Sequence, residues 1–189
     1  MKRLLKKTYA TLIYLFLYAP IFILIVFSFN AFKSRGTWAG FTLHWYAELF
    51  KDRQIIKALS NTVIIAVLSA VIATVIGTAA AIGIHNMKRL KKTIVMNLTY
   101  LPVVNPDIVT GLSLMLLFVF ANFQLGFITL LLAHTTFNIP YVILSVLPKL
   151  KQLDKNLYEA ALDLGATPLY AYRKVILPQI MPGVVTGLL

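Results

Sequence analysis

Residues Asp154–Pro168, DKNLYEAALDLGATP, decide how this chain is read. They are charged and helix-compatible, and long apolar runs lie on either side. Asn156 followed three residues later by Glu159 resembles a capping box. Leu157, Ala160, Ala161 and Leu164 then share one apolar face, and Gly165 is the expected left-handed stop. A second short helix is expected from Thr167 as N-cap and Pro168 at the first helical position, with Leu169, Tyr172, Val175 and Ile176 recurring along it. The polar side of the first helix is acidic (Glu159, Asp163), which suits an anionic lipid surface poorly. A groove on another protein suits it better.

Composition sets the class around this insert. The 189 residues are 59% hydrophobic and only 13% charged, with a mean hydropathy of +0.82. Soluble domains carry about 25% charged residues, so this surface cannot be that of a soluble protein. An all-α, polytopic transmembrane helical bundle is expected. The net charge of +12 is spread in short basic clusters between apolar runs, the pattern of topology signals rather than of a nucleic-acid-binding face. The chain contains no cysteine, and His44, His85 and His134 lie on separate segments, so no metal site is assigned.

Crossing a bilayer takes about 20 apolar residues. Runs of that length are read at 8–31, 58–84, 94–120 and 127–147. The first is too long for the core of a cleaved signal peptide and is expected to be retained. A fifth run starts near Ile180, and the bundle is expected to be cut within that fifth main span at Leu189. With the N-terminus in the cytoplasm, thirteen basic residues fall inside and five (Lys33, Arg35, Lys51, Arg53, Lys57) fall outside, which satisfies the positive-inside rule. That orientation puts residues 149–180 in the cytoplasm. Between the first two spans, Leu43, Tyr46, Ala47 and Phe50 recur at helical spacing beside Trp45, as in an interfacial helix.

Within the spans, small residues recur every fourth position in two stripes: Ser69, Ala73, Gly77 and Ala81, and Thr62, Ala66, Ala70 and Thr74. Both suit close helix packing. In the third span, Pro102 and Pro106 should break or kink the helix. Asp107 follows them and is the sole carboxylate inside a complete span. Its burial costs about 2.5–3.5 kcal/mol on insertion scales, so it should face the interior. Two compatible roles are open: lining a substrate path with Tyr100, Asn105 and Thr110, or capping the half-helix after the break. His134 and Asn138, one turn apart in the fourth span, read as interior hydrogen-bonding groups.

At Glu159-Ala160-Ala161, Gly165 and Leu177-Pro178 the chain resembles the permeases of ABC importers, whose EAA loop has this spacing; Val175 stands where the pattern usually has Ile. The stretches around Phe41–Tyr46, Pro106–Val109 and Leu125–Phe127 further resemble the permeases of spermidine/putrescine importers, over essentially the whole chain. The resemblance implies a type I (MetI-like) permease domain over 1–189, incomplete at its C-terminus, in a bacterial inner membrane. It implies a homologous second permease, a cytoplasmic ATPase dimer that binds ATP and Mg²⁺, an extracytoplasmic solute-binding protein and a polyamine substrate. Glu159, Ala160, Ala161, Asp163 and Gly165 become the ATPase-coupling positions. This subunit has no Gly-rich phosphate loop ending in Lys-Ser/Thr, so it is not expected to hydrolyse ATP or bind a cofactor itself. Other readings are an ABC permease for iron, sulfate or a sugar, and a non-ABC membrane carrier.

Overall fold

A computed structural model describes residues 2–32, 36–154 and 156–189. Lys33, Arg35 and Lys155, three of the charges used to orient the chain, lie outside the described residues, as do the side chains of Lys2 and Arg3. Among the described residues the regular structure is helical, apart from an antiparallel bridge between Asn30 and Phe41. The chain divides into two units, Met1–Ser60 and Asn61–Leu189.

In the first unit, α1 (Lys2–Phe27) ends four residues before the expected Ala31. Asn30 is the reason. Its side chain is buried; Nδ2 donates to Thr37 O at 2.7 Å, and Oδ1 accepts from the Ala39 N–H at 2.8 Å. Trp45 Nε1 donates to the Asn30 carbonyl at 3.0 Å. A helix through Asn30 would forfeit all three bonds. The interfacial segment forms α2 (His44–Lys51), with Leu43, Tyr46 and Phe50 exposed, as a lipid-facing surface requires.

α3 (Arg53–His85) begins before the expected Ala58 because Asp52 Oδ1 accepts the N–H groups of Gln54 and Ile55, at 2.8 and 3.2 Å. At 1.5 Å per residue its 33 residues reach about 50 Å, well beyond a hydrocarbon core of about 30 Å.

In the second unit the two small-residue stripes part company. Ser69, Ala73, Gly77 and Ala81 are all buried, whereas Thr62 and Ala66 are exposed and only the Thr74 end of the other stripe is covered. The expectation that both stripes pack therefore holds for one. The partner of the buried stripe is α6 (Phe127–Gln152): a Cβ on Gly77 would lie 2.7 Å from Val142 Cβ. α6 continues through Pro148 beyond the expected end at Leu147, with Leu147 and Leu150 both in the core.

The expected break in the third span is present, and it is large. α4 (Arg89–Val104) and α5 (Asp107–Phe120) meet at 107°, so residues 94–120 do not cross as one straight helix. The break falls at Pro106 rather than Pro102, which stays inside the last turn of α4. The ring of Pro106 disfavours helical geometry at the residue before it, and Asn105 is extended (φ −73°, ψ 145°). Among the described residues, three helices are long and apolar enough to cross a membrane, four if the bent pair counts as one span.

The insert folds as α7 (Asn156–Asp163) and α8 (Pro168–Ala171), followed by a π-helical turn at Tyr172–Ile176 and α9 (Leu177–Leu188). Pro178 lacks the N–H that would bond the Lys174 carbonyl. The widened turn fits this gap, with the Leu177 N–H reaching back to Tyr172 O. α9 packs on α6 through Gly183 and Gly187, which face Ser145, Val142 and Lys149.

Candidate functional site

Two regions of the second unit carry the expected site residues. The first is the insert. The sequence places the start of this helix near Asp154 or Asn156; α7 starts at Asn156, whose N–H is accepted by Asp154 Oδ1 at 3.0 Å. The stop is a Schellman motif: Gly165 has φ +84°, its N–H bonds Leu162 O at 2.8 Å, and the Ala166 N–H bonds Ala161 O at 3.1 Å. Thr167 caps α8, its Oγ1 accepting the Tyr170 N–H at 3.4 Å.

Glu159, Ala160, Asp163 and Gly165 are exposed. Ala161 is only 9% exposed and faces inward with half-buried Leu157. The expected single apolar face is thus split, since Ala160 and Leu164 point outward. The Schellman turn turns Leu164 out to 89% exposure, beside exposed Leu169 and Tyr170. Leu164 and Tyr170 line a recess of about 480 Å³ that includes Gly165 and Val175. Exposed apolar side chains flanked by the carboxylates Glu159 and Asp163 make a surface suited to a protein groove. Leu164, Leu169 and Tyr170 were not singled out from sequence as contact residues; helical periodicity had placed Leu164 on one apolar face with Leu157, Ala160 and Ala161.

The second region lies at the bend. Asp107 is the first residue of α5, with Pro106 at the N-cap and no side-chain cap bond, so the capping role is not taken up. Its charge still complements the helix N-terminus. Asp107 is exposed and lines a recess of about 310 Å³ with Gly111, His134, Phe137 and Asn138. His134 Nδ1 meets the Leu130 carbonyl at 2.8 Å and must be the donor, which leaves Nε2 without a proton in the neutral ring. Ser69 gives its proton to Ala66 O at 3.2 Å, so toward Asn138 it can only accept. Asn138 Nδ2 approaches it at 3.5 Å, and Oδ1 remains available as an acceptor. The recess therefore presents a carboxylate, an imidazole nitrogen and an amide oxygen as acceptors, beside the second N–H of the Asn138 amide.

The other expected path residues are not gathered here. Tyr100 is 45% exposed, Asn105 is the exposed C-cap of α4, and neither lines the recess. Thr110 turns its hydroxyl into the protein, where the oxygen is buried without a hydrogen-bond partner. In sequence, the i, i+4 spacing of His134 and Asn138 marked a shared face but not that Asp107 stood opposite it.

The family of binding-protein-dependent transport system inner membrane components matches residues 73–189, a stretch that contains both regions. The chain belongs to this family of ABC importer permeases. Relatives match this permease over nearly its whole length. It is 40% identical over 185 residues to the spermidine/putrescine transport system permease protein PotC of Escherichia coli (strain K12), covering 98% of this chain and 70% of that protein. PotC of Haemophilus influenzae is 38% identical over 97% of this chain and 71% of its own. The putrescine transport system permease protein PotI of Escherichia coli (strain K12) is 39% identical over 91% of this chain and 64% of its own. As a component of a binding-protein-dependent system, this permease works with other components of a transport system in the inner membrane.

Proposed function

We propose that this permease carries polyamines such as spermidine and putrescine inward, delivered by an extracytoplasmic binding protein and driven by a separate ATPase dimer that binds ATP and Mg²⁺. The observation that carries the substrate class is the acceptor-rich recess around Asp107. Primary ammonium groups are pure donors with positive charge, so Asp107, His134 Nε2 and Asn138 Oδ1 match them. Sulfate would meet repulsion from Asp107. The names of the PotC and PotI relatives support the same class. One carboxylate cannot balance a multiply charged polyamine, so a homologous second permease supplies further counter-charge. Tyr100, on the face of α4 before the bend, offers a ring for cation–π contact, and Asn105 offers further polar atoms along the path.

The N-terminus and the loop 149–180 lie in the cytoplasm in this proposal, in line with the thirteen-to-five distribution of basic residues. Glu159, Ala160, Asp163, Gly165 and the exposed Leu164–Tyr170 surface enter a groove of the ATPase, while Ala161 fixes how α7 sits on the bundle. Closure of the ATPase dimer moves the loop, and the loop moves α6 and α9, which are continuous with it.

Asp107→Asn tests the substrate site in the complete transporter, reconstituted in proteoliposomes with labelled putrescine. A charge-assisted hydrogen bond is worth about 1.5–3 kcal/mol, so uptake should fall roughly ten- to hundredfold with assembly intact. Unchanged uptake kinetics would remove Asp107 from the path. Competition by unlabelled iron, sulfate or sugar in place of polyamine would reassign the solute.

A further inference from the structure

The loop touches more than the helices it joins. Asn86, just past the end of α3, donates from Nδ2 to the Tyr172 hydroxyl at 2.8 Å, across 86 residues of sequence. The Tyr172 ring lies 4.9 Å, centroid to centroid, from that of Tyr158 on α7. Deeper in, Ile176 of the π-helical turn shares a buried core with Ile84 in the last turn of α3, and Ile82, Tyr158 and Tyr172 pack around it. On the other side of the turn, Lys92 Nζ donates to the His85 carbonyl at 3.2 Å, tying the start of α4 to the end of α3. α4 then leads to the bend and to Asp107.

From these contacts we infer that the Tyr172–Asn86 bond is a strut that positions the α3–α4 turn on the coupling loop, so that loop displacement reaches the broken span as well as α6 and α9. The inference rests on the coupling role proposed above but not on the identity of the solute. Chain connectivity alone drives α6 and α9. By chain, α4 and α5 are reached from the loop only back through α6, and the strut supplies a second route, from the end of α3 into α4 and on to the recess carboxylate at the start of α5. The contact is discrete. A recess of about 470 Å³ opens beside it, lined by Ile82, His85, Asn86, Tyr158 and Glu159 among others. A single exposed hydrogen bond is weak enough to form and break within a transport cycle.

The test uses the complete transporter in proteoliposomes, with Tyr172→Phe, which keeps the ring and deletes the hydroxyl, and Asn86→Ala at an exposed position. Uptake of labelled putrescine and ATP hydrolysis are measured on the same vesicles, with assembly checked by co-purification of the ATPase. Both variants should assemble and hydrolyse ATP, with putrescine imported per ATP reduced at least threefold. The double variant should be no worse than either single one, because one bond is lost in each case. Unchanged import per ATP in both single variants, or fully additive losses, overturns the strut. Failure of the coupling reading has a different signature: in the unsubstituted transporter, the loop could not be cross-linked to the ATPase.

Discussion

Gly183→Ala is the sharpest test of the packing that joins the loop to the bundle. A Cβ built at Gly183 would lie 2.8 Å from Lys149 Cγ, 2.9 Å from the Ser145 carbonyl oxygen and 3.3 Å from Val146 Cα. Ordinary contacts begin at 3.4 Å, so α9 must retreat from the Ser145 backbone by about half an ångström; Lys149 can move aside, but the carbonyl cannot. Overpacking of this kind costs about 1–3 kcal/mol. Gly83, also in a helix, has nothing within 4 Å of its built Cβ, so Gly83→Ala should be neutral or stabilise by about 0.5–1 kcal/mol through helix propensity. Thermal unfolding of the purified transporter in lipid nanodiscs, followed by proteolysis at the loop, compares the two. Gly183→Ala should unfold at lower temperature than the parent, and Gly83→Ala should not. Equal transitions for both variants would refute the close α6–α9 contact.

Three other outcomes are expected. Pro106→Ala removes the restraint on Asn105 and should straighten the 107° bend; because the chain has no cysteine, spin labels at Leu90→Cys and Phe120→Cys can follow the distance, which should lengthen. Gly165→Ala forces a Cβ into a φ of +84°, at a cost of about 1–2 kcal/mol, and amide exchange at Ala166 should quicken roughly tenfold as its bond to Ala161 opens. Asn138→Leu leaves the Ser69 hydroxyl bonded to Ala66 and removes one acceptor from the recess, so the KM for putrescine should rise severalfold while maximal ATP hydrolysis is kept.

Much of this was legible in the residues because it is local. Gly165 as a stop, Thr167 and Pro168 as a start, and the break beside Pro106 all follow from one or two side chains and the backbone they permit. What stayed hidden depends on contacts across the chain. The end of α1 at Phe27 is set by Asn30 reaching Thr37 and Ala39, which apolar run length cannot reveal. Both small-residue stripes look equal along α3, yet only the one facing Val142 is covered. At the candidate site, Asp107 was visible as a lone intramembrane carboxylate. That His134 and Asn138 join it, and that Tyr100 and Asn105 do not line the same recess, depends on where a 107° bend leaves α5 against α6.

The central claim is that the loop tip enters a groove of the ATPase, and one cross-linking measurement addresses it most directly. A photoreactive label on Leu164→Cys, where the side chain is 89% exposed, is compared with the same label on Phe120→Cys, 88% exposed at the end of α5, in the assembled transporter. The label at position 164 should join the permease to the ATPase subunit, and the label at 120 should not. If position 164 yields only lipid adducts while the ATPase remains bound, the loop does not carry the coupling.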